Sequence, residues 1–570
     1  MTDSGLEISE ETPVNEVPDP GHGRTEDQNE NSARRWIVRA VAAIVVPILL
    51  LVLLETGLRF FDVGYSTDLL QPCTIHGQAA SCYNLFFPAP FFPPGMIKTP
   101  QLYSVPVAKA PGTYRIFVLG ESAAMGDPDP AYGFSRYLEV MLRERFPQMK
   151  FEVVNTGSVA INSHVLLPIA KGLAEQRPDL FIIYSGNNEV VGPFGPGTAL
   201  TSSAMSLPVI RANLYLRTTR IGQLLTQVGT PKREWGGMEM FLDKQVPATS
   251  PLMKPTYANF EQNLRDTIAV ARRSGARVIV STVATNLRDC GPFGSQHREG
   301  LNGQDMENWS ALVQQGANFE DVQAYDQALK AYAAALQIDN QYAELEFRLA
   351  RALWKTGNSA GAKQHFLRAR DLDTLRFRAD STINDINRRV AASAEAGLVD
   401  ADQLFAQNSR DGIVGSELVY EHVHLRPAGN YLLARALFER IAEQLHHPVS
   451  SGDVSSEEQC EKLLAFTAFD RARLRDEMQR RLQNPPFTTQ LNHSEQMMRL
   501  AMEEQETESP EGTAAAYQWA IGQKPEDRML HYNFGQFLFR YNRAAGAEEL
   551  KAAQPWDGFP VYTPDGMRIQ

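Results

Sequence analysis

The sequence predicts an α/β chain built round a parallel sheet, with a helical insert, a helical C-terminal region and one N-terminal transmembrane helix. Three observations predict it. Short apolar strands alternate with amphipathic helices from Tyr114 onward. A pattern of small and aromatic residues repeats at 34 residues, Ala328, Tyr332 and Ala335 returning as Ala362, Phe366 and Ala369. From Trp36 to Leu54 only Arg39 is charged. At 570 residues the chain is too long for one compact core, so several domains are expected. A net charge of −12 argues against a nucleic-acid partner, because phosphate binding wants a basic surface. No zinc-type Cys/His spacing is present, and no cofactor is expected.

Residues 1–33 are polar, acidic and almost free of aliphatics, which predicts a disordered tail. Residues 34–58 predict an uncleaved anchor. The run from Trp36 to Leu54 reaches ~28 Å as a helix, close to the hydrocarbon thickness of a bilayer. Arg39 lies one turn in and can snorkel, and Pro47 is tolerable in a membrane helix. A long polar tail precedes the run and no A-x-A follows it, unlike a signal peptide. Arg34, Arg35 and Arg39 lie in front and only Arg59 just behind, so the tail is expected in the cytoplasm and the rest outside.

Residues 59–110 are rich in Pro and Phe and read as a linker or collar near the membrane. An even cysteine count in an oxidising compartment favours disulfides. Of the three pairings open to four cysteines, Cys73–Cys82 with Cys290–Cys460 is preferred; free buried thiols are the alternative.

The α/β pattern occupies 111–300 and resumes over 376–445. "YRIFVLG", "FEVVN", "DLFIIYSG" and "RVIVSTVA" read as strands, with helices at "FSRYLEVMLRERF", "SHVLLPIAKGLAEQ" and "YANFEQNLRDTIAVARRSGA". "GLVDADQLFAQ" reads as a strand entering a loop, and "RPAGNYLLARALFERIAEQL" as a long helix. The stretch from about 190 to 250 is expected to lack regular elements because of its Gly and Pro content. Residues 301–375 form the repeat insert, which resembles tetratricopeptide repeats, and 446–570 a helical region with a poorer instance, Tyr517, Ala520 and Pro525 closing one unit and Gly535 and Ala547 belonging to the next. Peptide or protein binding and a purely structural cap are both open for these repeats.

Ligands bind at the carboxyl ends of strands in such sheets. Ser122, Gly157 and Asn188 each follow a predicted strand end. A serine nucleophile needs a base oriented by a third group. His164, His422 and His424 are the candidate bases, and Glu421 precedes His424 by three residues on a predicted turn. That spacing lets the carboxylate hold Nδ1–H and leave Nε2 to face the serine. The Ser122 and Gly157 amides and the Asn188 side chain are candidate oxyanion donors. Asn162 and His164 share a loop with Gly157 and are candidate pocket residues. Taken singly, each residue is also an ordinary turn or cap residue.

Gly-Glu-Ser at 120–122, Gly157, Gly-Asn-Asn-Glu at 186–189 and Glu-His-Val-His at 421–424 together resemble the blocks of the SGNH (GDSL-type) hydrolase family. The resemblance implies a flavodoxin-like three-layer α/β/α domain with esterase, lipase or deacetylase chemistry. It puts the nucleophile on Ser122, oxyanion donors on Gly157 and Asn188, and the D-x-x-H block on Glu421 and His424. Glu121, Glu189 and Glu421 stand where the family pattern has aspartates, and Glu121, Glu189 and His422 complete the candidate pocket set. Glutamate is one methylene longer; His422 or another acid is the alternative partner in the site. "GESAA" also approximates the nucleophile elbow of α/β-hydrolases, which leaves Asn188 and Glu-x-x-His without a role. The function expected is a membrane-tethered ester hydrolase acting on an extracytoplasmic ester, such as an O-acylated glycan or a lipid. Acyl transfer by the same site, and a degenerate hydrolase serving as a repeat scaffold, are the alternatives.

Overall fold

The structure, a computed structural model, describes residues 26–97, 101–201, 206–229, 234–445, 453–503 and 507–569. The expected disordered tail falls mostly on residues 1–25, outside the described residues. The chain divides into two units.

The smaller unit joins the N-terminal helix to residues 219–227. The helix runs Glu26–Phe60, and its Arg34–Phe60 part is long and apolar enough to cross a membrane. Near its end the Glu55 carboxylate accepts the backbone N–H groups of Arg220 and Ile221 at 3.0 and 3.1 Å, capping the helix Arg220–Gly229. Gln223 closes on Tyr65, accepting its N–H at 3.0 Å and donating to its carbonyl at 2.9 Å. The stretch expected to be irregular thus carries Arg220–Gly229 and a second helix, Leu207–Thr218. Its glycines and prolines cluster outside the helices, and Pro208 falls in a first turn, where it costs no hydrogen bond.

The larger unit begins with a three-stranded antiparallel sheet, β1 (Leu70–Ile75), β2 (Gln78–Tyr83) and β3 (Ser104–Pro106), in that order. His76 and Gly77 turn β1 into β2, both with positive φ (47° and 73°), as a two-residue hairpin turn requires. A disulfide joins Cys73 to Cys82 across this pair. The aromatics of the collar, Tyr83, Phe87, Phe91, Phe92 and Tyr103, are buried in the main apolar core. The collar packs into the domain through these rings.

The central sheet is five parallel strands: β4 (Thr113–Gly120), β5 (Lys150–Asn155), β6 (Leu180–Tyr184), β7 (Arg277–Ser281) and β8 (Gly397–Val399), ordered β5-β4-β6-β7-β8. Ile116 to Leu119 and Leu180 to Tyr184 are buried, as strands covered on both faces must be. Helices Phe134–Arg145 and Pro427–Ala442 pack together as one layer. Ser163–Ala174, Met253–Arg273 and Ser381–Ser393 form the other. The "GLVDADQLFAQ" segment departs from expectation: after three strand residues it becomes the helix Ala401–Gln407, whose first turn Asp400 caps at Gln403 N–H (3.3 Å).

The insert is four helices, Gly303–Asp321, Tyr325–Ile338, Ala343–Lys355 and Ser359–Leu372. Gly357 takes φ +85° in the last turn between them. Ala328, Tyr332 and Ala335 pack with Trp309 and Leu345 inside the insert. Ala362, Phe366 and Ala369 pack with Leu287 and Ile413, docking the insert on the α/β domain. The C-terminal helices dock separately: the Tyr132 and Phe466 rings lie 4.4 Å apart, and Arg136 pairs with Asp527.

Cys290 and Cys460 are free and buried, which corrects the expected second disulfide. Cys290 is enclosed by Gly291, Arg378 and Gln490. Cys460 sits in the helix Glu457–Leu463 against Ser455. Both thiols are buried in the main apolar core.

Candidate active site

Strand β4 ends at Gly120, where no side chain fits. A Cβ there would lie 2.1 Å from the Tyr184 carbonyl and 2.4 Å from Ala124 Cβ. The chain then turns at Glu121 into one helical turn, Ser122–Met125, closed by Gly126 at φ +95°. Ser122 is the first residue of that turn, and its N–H has no acceptor among the described residues.

His424 arrives from a tight loop. Val419 pairs with Leu425, and Tyr420 N–H donates to the His424 carbonyl at 2.8 Å. Asn286 N–H donates to the His422 carbonyl at 3.0 Å, fastening the loop beyond the end of β7. Pro427 then starts the following helix at a position that needs no N–H. His424 Nε2 lies 2.8 Å from Ser122 Oγ, across 302 residues of sequence. Its Nδ1 is hydrogen-bonded to Glu421 Oε1. Glu421 Oε2 accepts the backbone N–H groups of His422, Val423 and His424 at 2.8, 3.2 and 3.1 Å. Burial works against the Glu421 charge, but the charges of His424 and His422 and their side-chain bonds to it hold its carboxyl well below the usual range. Burial also works against a charged His424, yet Glu421 and then Asp127 raise it above an ordinary imidazole.

Around Ser122 opens a cavity of about 480 Å³, lined by Asn188, Trp235, Phe241, Phe377 and Phe487 among others. Asn188 Nδ2 donates to the Ile161 carbonyl at 3.1 Å and, with two hydrogens, keeps one for a ligand. Gly157 lies close against the Ser122 turn: a Cβ on it would fall 2.5 Å from Met125 N. Its own N–H, however, donates to Asn155 Oδ1 at 2.9 Å. Asn155 is also bonded to the Ala124 carbonyl and Ser135 Oγ, so that amide is turned into the wall.

His422 lines the cavity, boxed by Phe293, Phe377 and Phe487 at ring distances of 5.5, 6.2 and 5.8 Å. Burial lowers it, against the Glu421 carboxylate, whose Oε2 lies 3.5 Å from its Nδ1. The other four candidate pocket residues are not among those lining the cavity. Glu121 accepts the N–H groups of Gly186 and Asn187 at 3.0 and 2.8 Å, bracing the loop that carries Asn188. Burial, with Glu189 adding to it, pushes Glu121 up to about 8. Glu189 accepts from Ser163 N–H and Oγ–H, both at 2.8 Å, and burial raises it to about 7. Asn162 caps the helix Ser163–Ala174 through His164 N–H at 3.3 Å. His164 Nδ1 accepts from Asn263 Nδ2 at 3.0 Å, and burial lowers it to about 4. Their hydrogen bonds are spent on neighbouring protein groups, which is why they do not reach the cavity.

Asp127 and Arg481 were not singled out by sequence. Asp127 Oδ2 lies 3.1 Å from His424 Nε2, and Arg481 grips the same carboxylate. Asp127 stands in the same short segment as Ser122, a weak signal; Arg481, 354 residues from Asp127, carried none. Glu421, His422 and His424 are the one group of described residues compact enough to hold a metal ion, within 4.8 Å of one another. Glu421 and His424 Nδ1 are already bonded to each other, so the group is built as a Ser–His–Glu arrangement rather than an open ligand set.

Residues 321–379 match the tetratricopeptide repeat family. No curated protein matches this chain in sequence. Among solved structures, a catalytic mutant of Axe2, an acetylxylan esterase from Geobacillus stearothermophilus, is 12% identical with a TM-score of 0.27, covering 57% of this chain and 94% of that one. A lipase/acylhydrolase from Enterococcus faecalis is 10% identical, TM-score 0.27, covering 60% and 99%. A GDSL-like lipase from Bacteroides thetaiotaomicron is 9% identical, TM-score 0.26, covering 58% and 89%.

Proposed function

We propose that the chain is a serine ester hydrolase of the SGNH type, working through an acyl-enzyme on Ser122. The observation that carries this reading is the 2.8 Å approach of His424 Nε2 to Ser122 Oγ, with Nδ1 held by Glu421. Ser122 Oγ attacks the ester carbonyl while His424 Nε2 takes its proton. The oxyanion that forms is met by the Ser122 N–H and the spare Asn188 Nδ2–H. His424 then gives the proton to the leaving alcohol. Water, deprotonated by the same nitrogen, releases the acid and restores the serine.

The Gly157 amide takes part only by leaving Asn155 as charge develops; in the resting site Gly157 serves by close approach. The cavity's mixed lining of aromatic and polar side chains suits an O-acylated glycan or a lipid ester. We place the N-terminal helix across a membrane, its basic flank in the cytoplasm and the α/β domain outside. The repeat insert is assigned a protein or peptide partner on the strength of its family match.

The test is labelling of the full chain with a fluorophosphonate probe. Labelling of the parent that is lost in Ser122→Ala supports the hydrolase. A parent that takes no label under any condition supports the scaffold alternative instead.

A further inference from the structure

His424 Nε2 has two neighbours. One is Ser122 Oγ, and the other is Asp127 Oδ2 at 3.1 Å. The Ser–His–Glu mechanism uses only the first. Asp127 is gripped from behind by Arg481, whose Nη2 donates to Oδ1 at 2.8 Å while Nη1 donates to Oδ2. Arg481 belongs to the helix Ala468–Leu482 of the C-terminal region, and its Nε donates to Glu477 Oε1 at 2.9 Å. Both members of the pair line the cavity and both are largely buried. We propose that the Asp127–Arg481 pair is a positioning device that sets the basicity of His424, which makes the C-terminal helical region a working part of the active site.

The physical argument is a balance of charge at one nitrogen. A carboxylate beside Nε2 favours a proton there, which helps His424 accept the serine proton. The same carboxylate left unbalanced would keep that proton, so the leaving alcohol would go without. Arg481 draws the Asp127 charge toward itself by a two-pronged bond, the strongest geometry available to it. The groups facing His424 are Glu421 at Nδ1, Asp127 at Nε2, and His422 with its ring 5.5 Å away. Arg481 stands behind Asp127 and is in turn held by Glu477, while the Arg378 charge works against a charged His422. Burial disfavours the imidazolium; Glu421 and Asp127 outweigh it, and Arg481 pulls back.

The proposal rests on the serine-hydrolase reading, and the test separates the two. The rate of fluorophosphonate labelling of Ser122 is followed against pH in the full chain. The parent rate should fall on the acid side as His424 takes its proton, with a midpoint above 6.5. Asp127→Asn removes a charge favouring the imidazolium, so its midpoint should move down by about one pH unit. Arg481→Gln leaves Asp127 unbalanced, so its midpoint should move up. Arg481→Lys keeps the charge and should stay nearer the parent than Arg481→Gln does. A purely structural pair would weaken labelling without moving the midpoint. Unmoved midpoints, or shifts of the same sign in Asp127→Asn and Arg481→Gln, overturn the proposal. If one of the two variants does not fold, the direction of shift in the other decides. A parent that never labels sinks the hydrolase reading itself.

Discussion

Glu421 meets the His424 Nδ1 from within the same tight loop, while its second oxygen gathers three consecutive backbone N–H groups. The loop is wrapped round its own carboxylate. This shows how a glutamate fills a position where aspartate was expected: the extra methylene spans from the loop backbone to the ring.

The first prediction follows from that wrapping. Glu421→Gln must aim its NH₂ either at the Nδ1–H or at the backbone donors, and both choices set donor against donor. The tautomer that leaves Nε2 free to accept is lost. Hydrolysis of p-nitrophenyl acetate should fall roughly 10³–10⁴-fold. Glu421→Asp keeps the charge but cannot span both partners, and a loss of about 10²-fold is expected. Wild-type rates in Glu421→Gln would mean that the carboxylate does not orient the ring.

Asn188 and Gly157 should part company on mutation. Asn188→Ala removes a donor aimed into the cavity, so kcat should drop roughly 10²–10³-fold with little change in melting temperature. Gly157→Ala pushes a methyl into Met125 N at 2.5 Å, and the backbone of the Ser122 turn has to move. It should cost about 1–3 kcal/mol of stability as well as activity. Denaturant unfolding beside steady-state kinetics separates the two; an Asn188→Ala chain as unstable as Gly157→Ala would count against its assignment to the oxyanion.

Thiol counting tests the cysteine correction. Burial pushes Cys290 up to about 11 and Cys460 up to about 12, so neither is a thiolate at neutral pH. A thiol reagent should find no fast-reacting groups in the folded chain and two per chain in denaturant, with Cys73 and Cys82 silent until reduced. No free thiol in denaturant would restore the second disulfide.

The strands were legible because each is a short apolar run bounded by turn residues, and Ser122, Gly157 and Asn188 because they follow strand ends. The repeat was legible in Tyr332 and Phe366, which recur where helix pairs close. The helices at 207–229 were missed because neighbouring Gly and Pro residues hid a run with few of its own. Glu121, Glu189, Asn162 and His164 carry the right residue types near the right loop. Sequence does not say which way a side chain turns, and these four turn into the wall. Arg481 was out of reach for a different reason: it is one arginine among many on a charged helix, and only the docking of that helix, where Arg473 also pairs with Asp129, brings it to Asp127.

Two histidines stand two residues apart, and the last prediction distinguishes them. His424 has both nitrogens engaged, one on Glu421 and one on Ser122. His422 sits among three phenyl rings, and although Glu421 Oε2 lies 3.5 Å from its Nδ1, burial outweighs that carboxylate and favours the neutral ring. His424→Ala should lower Ser122 labelling roughly 10²–10⁴-fold, the range for a lost general base. His422→Phe should fill the same box and keep labelling within about 10-fold of the parent, because no proton passes through it. It should also change the response to acid. Burial lowers His422 from its usual 6.5, so below that pH the unfolded chain binds a proton that the folded chain resists, and stability falls as pH falls. His422→Phe removes that loss, so its melting temperature relative to the parent should rise as pH is taken from 7 to about 5. If His422→Phe abolishes labelling while folded, or His424→Ala does not, the base has been assigned to the wrong ring.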